Sequence, residues 1–165
     1  MSESSSKVTV FVEIPSGSNL KYEMDVETNR LLLDRVLSSS MGYPGNYGYI
    51  PDTLAQDGDP LDALIIVPYG LHPGCYVECR VLGALVMSDE KGVDEKLLVV
   101  PVSEVDSYYD EMQDLADIPK AQLDKIEHFF RHYKDTDPKK WCKVEHFINR
   151  EEAIKLVETY QSSAQ

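Results

Sequence analysis

The hydrophobic period of this chain changes once along its length, and that change limits the fold more than any other feature. Apolar residues recur at every second position through the first two-thirds, and at three- and four-residue steps in the last third. Val8, Val10, Val12 and Ile14 alternate with Thr9, Phe11 and Glu13, which predicts a first strand. The segment 15–19 (Pro-Ser-Gly-Ser-Asn) reads as a turn. A second strand over 20–25 sets Tyr22 and Met24 against Lys21, Glu23 and Asp25, and a third follows over 31–37. Residues 42–51 are turn-rich and aromatic. A buried strand is expected over 63–67, and a long one over 75–87 that bends at Gly83. Residues 88–96 read as a charged loop, and 97–102 as the returning arm of a hairpin.

Asp117 and Pro119 then open a helix with Leu123, Ile126, Phe130 and Tyr133 along one side. Asn149, with Glu152 three residues on, caps a final helix whose apolar side is Ala153, Leu156, Val157 and Tyr160. Strands followed by helices predict an α+β fold with a closed or nearly closed sheet. No repeat, low-complexity tract or linker divides the chain, so a single domain over 1–165 is expected.

Charge narrows the function classes. Lys and Arg number 16 against 29 Asp and Glu, a formal charge of −13. A nucleic-acid surface would need a basic stripe, so none is expected. Apolar runs are too short to span a bilayer, and the polar start of the chain lacks a signal-peptide pattern, so the expected location is cytoplasmic. Cys75, Cys79 and Cys142 are an odd set without C-x-x-C spacing, which suggests neither a disulfide framework nor a zinc ribbon. His128 and His132 stand four apart on the first helix. With no third ligand evident, a packing or surface role is the better reading.

The densest chemical signal is Asp57-Gly58-Asp59-Pro60-Leu61-Asp62. Pro60 pushes Asp59 towards extended conformations, and Gly58 frees the bend before it. Three carboxylates so close repel one another unless water or cations intervene. The string fits a solvated acidic turn as well as a cation site, but its offsets do not fit an EF-hand. Asp89 and Asp94 add oxygen donors in the later charged segment, and an all-oxygen set selects Mg²⁺, Mn²⁺ or Ca²⁺ over zinc. Tyr43-Pro44-Gly45-Asn46-Tyr47-Gly48-Tyr49 offers phenol donors to an anion, or simply rings over a turn. Lys21, Arg35, Lys96 and Lys134 taken singly would pass as surface charges.

Together these motifs resemble the family I soluble inorganic pyrophosphatases. The resemblance runs through Glu13, Lys21-Tyr22-Glu23, Asp34-Arg35 and 43–49, then the acidic string 57–62. It continues through Asp89-Glu90, Asp94-Glu95-Lys96 and 128–134, nearly the whole chain in the family's order. It implies a five-stranded, oligonucleotide-binding-like closed barrel with additional strands and flanking C-terminal helices. It also implies Mg²⁺ as cofactor, with Mn²⁺ or Zn²⁺ as substitutes, pyrophosphate as substrate, and a homohexamer of the short prokaryotic type.

The residue roles follow the matched motifs. Asp57, Asp62, Asp89 and Asp94 would hold metal, with Glu13 and Glu23 lining the cavity and helping. Lys21, Arg35, Tyr47, Lys96, Tyr133 and Lys134 would contact the phosphates. Asp59 would act as general base for in-line attack by a metal-activated water, and Tyr43 and Glu90 would support these groups. Two other functions fit the same residues: a catalytically silent metal- or phosphate-binding barrel, and a hydrolase of other phosphoanhydrides. No P-loop and no G-x-G-x-x-G supports nucleotide binding.

Overall fold

The computed structural model describes residues 6–165. Its strands are β1 (Lys7–Ile14), β2 (Leu20–Asp25), β3 (Arg30–Val36), β4 (Asn46–Tyr49), β5 (Asp62–Ile65), β6 (Tyr76–Asp89) and β7 (Gly92–Pro101). Helix α1 (Lys120–His132), strand β8 (Cys142–Asn149) and helix α2 (Arg150–Ser163) follow. The main sheet runs β1-β4-β5-β7-β6-β8, and β1 also pairs with β6, so the pairings of five strands return on themselves. Among the described strands only β5 and β7 pair in parallel; β2 and β3 form a separate two-stranded sheet. The fold is α+β, and no described helix is long and apolar enough to cross a membrane.

Alternation gives the ring strands two apolar faces, each covered by its own helix. Val8, Val10, Val12, Ala63, Ile65, Leu97 and Val99 pack with Ala153, Ile154, Val157 and Tyr160 of α2. On the opposite face Ile14, Leu64, Leu85, Leu98 and Val100 pack with Ile126, Phe129 and Phe130 of α1. Burying a side chain of this size contributes roughly 1.5–3 kcal/mol, so both faces hold the ring. The α2 cap is as expected: Asn149 Oδ1 accepts from Glu152 N at 3.0 Å. Helix α1 starts one residue later than the Pro119 signal suggests, with Pro119 itself as N-cap, after a single 3₁₀ turn over Leu115–Asp117.

Three expectations are corrected. Residues 46–49 are not turn but strand, hydrogen-bonded between β1 and β5. The charged loop over 88–96 shrinks to Glu90 and Lys91, because Asp89 ends β6 and Asp94 to Lys96 lie within β7. The last third is not wholly helical, since β8 adds to the free edge of β6. The bend expected at Gly83 is present as a register shift between Val81 and Gly83.

Gly48 shows how closely β4 is pressed against β1. A Cβ there would lie 1.8 Å from the Phe11 carbonyl oxygen, so backbone would have to move. Gly48→Ala is expected to destabilise the protein by about 3 kcal/mol or more, read from its denaturant midpoint. An unchanged midpoint would mean that the β1–β4 contact is looser than described.

Candidate active site

The α1-facing side of the ring carries a row of polar groups among its apolar ones. Period two places Asp62 on the side of Leu64, and Lys96 on the side of Leu98 and Val100. The parallel register sets Asp62 directly beside Lys96. The Lys96 ammonium, on a residue only 2% exposed, lies 3.1 Å from Asp62 Oδ2 and 3.0 Å from Asp94 Oδ2. It also donates to the Tyr47 hydroxyl at 2.7 Å, and Tyr47 in turn donates to Asp62 Oδ2 at 2.8 Å. The rings of Tyr47 and Phe130 lie 5.1 and 5.4 Å from Lys96 Nζ.

Burial and like charge strain this centre electrically. Glu13 reaches it by the alternation of β1, which turns it away from the α2-side core that holds Val8, Val10 and Val12; a register shift between Val12 and Ile14 then brings Ile14 onto the same side. Burial pushes the Glu13 carboxyl up to about 7; the charges of Asp62 and Glu23 add to this, and a hydrogen bond from Met24 N opposes it. Burial raises Asp62 as well, with Asp94 adding and Lys96 opposing. Asp57 is raised by burial and by the charges of Asp59 and Asp94. For Lys96, burial alone would weaken the ammonium, but Asp94, Tyr47 and Asp62 hold it well above the usual lysine value. Burial likewise keeps the Tyr47, Tyr43 and Tyr133 phenols protonated.

Most of the remaining residues of interest stand on elements outside the ring. Residues 54–59 fold back on themselves: Ala55 N bonds Asp59 O at 2.8 Å, and Asp57 Oδ1 accepts from Asp59 N at 3.0 Å. Gly58 supplies the positive φ of 88° that this turn requires. In the outer hairpin Lys21 pairs across from Arg35, and Asp34 Oδ2 takes both, at 3.4 and 3.0 Å. Glu13 Oε2, accepting from Met24 N at 2.8 Å, ties that hairpin to β1. Tyr133 ends α1 stacked on Phe129, and Lys134 reaches Asp89 Oδ2 at 3.3 Å. The charges of Asp89 and Glu90 help hold Lys134 above its usual value against burial.

The structure therefore joins Tyr47, Asp62, Asp94 and Lys96 directly, with Glu13 and Asp57 close enough to feel their charge. Among the described residues, no hydrogen bond or ion pair links Lys21, Arg35, Glu23, Asp59, or the Lys134–Asp89 pair to Lys96. Three residues passed over in the sequence now stand out. Asp34 holds both hairpin cations; Glu95, 6% exposed, faces away from Asp94 and Lys96; and Tyr160 bonds it. The signal for Glu95 was available: period two through Asp94 and Lys96 turns it towards the core. His128 and His132 sit on the exterior of α1, with His132 Nδ1 2.7 Å from Asp135 Oδ2.

The donor chemistry fits a divalent cation: the groups are all oxygen, and the buried Glu13 with the half-buried Asp57, Asp62 and Asp94 outnumber the one buried cation among the described residues, Lys96. Among the described residues no three ligating groups already close on one point; the Lys96 ammonium stands between Asp62 and Asp94 instead.

The family model described as inorganic pyrophosphatase matches residues 10–165. An inorganic pyrophosphatase of Campylobacter jejuni is 46% identical over 152 residues, 92% of this chain and 88% of that one. One from Nanoarchaeum equitans is 46% identical over 95% of this chain and 97% of its own. The solved structure of the Helicobacter pylori inorganic pyrophosphatase superposes with a TM-score of 0.96 at 44% identity, covering 99% of this chain and 96% of that one. A crystal structure of the Thermus thermophilus inorganic pyrophosphatase gives 0.95 at 42%, covering 99% and 94%. The chain belongs to the inorganic pyrophosphatase family.

Proposed function

We propose that this chain hydrolyses inorganic pyrophosphate to two orthophosphates in a magnesium-dependent reaction. The observation that carries the reading is the buried Lys96 ammonium shared by Asp62, Asp94 and Tyr47, with Glu13 beside it held up to about 7. So much carboxylate sheltered from water calls for more positive charge than one lysine supplies.

Asp57, Asp62, Asp89 and Asp94, helped by Glu13 and Glu23, would hold the cations, with Mn²⁺ or Zn²⁺ as substitutes. Bound Mg²⁺ would shield the phosphate oxygens and acidify the attacking water. Lys21, Arg35, Lys96 and Lys134 neutralise the tetra-anionic substrate and the charge growing on its leaving phosphate. Tyr133, protonated at neutral pH, donates a hydrogen bond to its oxygens, and Tyr47 does so on turning its hydroxyl from Asp62; Tyr43 and Glu90 support them. Asp59, on an exposed turn, accepts the proton of the water attacking in line.

The same proposal takes the five-stranded ring as a closed barrel of the oligonucleotide-binding type within one domain over 1–165. It also has the chain assembling as a homohexamer in the cytoplasm. Exposed apolar side chains such as Val36, Tyr76 and Trp141 offer surface for assembly, which sedimentation equilibrium would read.

Phosphate release tests the activity. Purified protein with Mg²⁺ should release phosphate rapidly from pyrophosphate, slowly from ATP, and not at all from either in excess EDTA. No release with any divalent metal would leave a silent binding module, and equal rates on ATP would make it a general phosphoanhydride hydrolase.

A further inference from the structure

The C-terminal helix reaches the acidic cluster through one side chain. Tyr160, 3% exposed in α2, donates its hydroxyl hydrogen to Glu95 Oε1 at 2.8 Å and accepts from Gln56 Nε2 at 3.2 Å. Its backbone carbonyl accepts from Leu54 N at 2.9 Å. Gln56 immediately precedes Asp57 in the acidic turn, and Glu95 lies between Asp94 and Lys96 on β7. One residue thus grips both the turn that carries Asp57 and the strand that carries Asp94. Glu95 Oε2 is buried with no hydrogen-bond partner among the described residues, a cost that a plain apolar core residue would avoid.

We propose that Tyr160 is a positioning residue: by holding Gln56 and Glu95 together it fixes how far Asp57 stands from Asp94. That separation sets the affinity for a divalent cation shared between the two carboxylates. The inference rests on the magnesium reading above. The ring of Tyr160 packs with Ala153 and Val157 whether or not it carries a hydroxyl, so Tyr160→Phe separates the grip from the packing.

Mn²⁺ binding to substrate-free protein, followed by loss of the free-ion electron paramagnetic resonance signal, is the first readout. Tyr160→Phe, which removes the bonds to both Glu95 and Gln56, should bind Mn²⁺ about fivefold more weakly, because only part of the lost hydrogen bonding is transmitted to the carboxylate spacing. The Mg²⁺ midpoint for pyrophosphate hydrolysis should rise in parallel, while kcat at saturating Mg²⁺ stays within about twofold. Gln56→Met, at an exposed position, removes only the turn's arm and should shift Mn²⁺ affinity in the same direction by less. It carries the test if Tyr160→Phe does not fold.

Unchanged Mn²⁺ affinity in the folded variants, even with a lower melting temperature, would make Tyr160 a core residue and nothing more. Wild-type protein that takes up no Mn²⁺ would instead overturn the magnesium reading, and this inference with it.

Discussion

Asp59→Asn should lower kcat for pyrophosphate by about a hundredfold to ten-thousandfold while leaving the melting temperature and Mn²⁺ affinity close to wild type. The expectation comes from what Asp59 does not do. Among the described residues, its backbone shapes the turn, but no hydrogen bond or ion pair engages its carboxylate. A carboxylate without structural work can lose its charge without loss of fold, so any effect must appear in the reaction. Asparagine keeps the shape and can still accept a hydrogen bond through its amide oxygen, but it is too weak a base to take the water's proton. Wild-type kcat in this variant would remove Asp59 from the chemistry and leave the proton to solvent or another carboxylate.

Lys96→Met should act the other way round, on the fold before the chemistry. The ammonium faces Asp62, Asp94 and the Tyr47 hydroxyl, and methionine fills the same volume without charge. Two carboxylates would then face each other with no cation between them, and breaking a buried pair in this way costs about 3–5 kcal/mol. Against a typical stability of about 5–15 kcal/mol, that is a large fraction. Chemical denaturation in EDTA should show the loss. Added Mg²⁺ should restore more stability to the variant than it adds to wild type, because it supplies the missing charge. Turnover should stay low in either case, since a phosphate contact is gone. A variant as stable as wild type in EDTA would show that the Asp62–Asp94 repulsion is relieved by solvent.

Why some elements were legible in the sequence and others were not has a physical cause in each case. β1, β2, β5 and β6 follow from their apolar periods, because one or both faces of each meet a core. β8 was hidden because an edge strand needs little apolar sequence: only Val144 of its eight residues is buried. The arm of β7 from Asp94 to Lys96 read as loop because alternation between charged residues looks like solvent exposure. Asp94 and Lys96 instead pair with each other on one face of the strand, while Glu95 turns to Tyr160 on the other. The acidic string itself was plain, but its meaning was not. Proximity between Asp57 and Asp94 depends on the parallel pairing of β5 with β7, which no local pattern carries. The family resemblance supplied that proximity in advance. It said nothing of Tyr160, whose place on the apolar side of α2 reads from the sequence as packing alone.

The two-stranded hairpin described above has a consequence for how such a molecule can diverge. Asp62, Asp94 and Lys96 are built into strands whose other residues form both cores, and the Tyr47 ring packs against one of them, so few substitutions there leave the fold intact. Lys21 and Arg35 ride on β2 and β3, a sheet separate from the ring and largely open to solvent along β3. Mutation can reshape or lengthen that arm while the ring stays as it is. The acidic half of the site is therefore the slowly changing inheritance of the architecture. The hairpin is the part in which a new preference among phosphate esters and anhydrides would first arise.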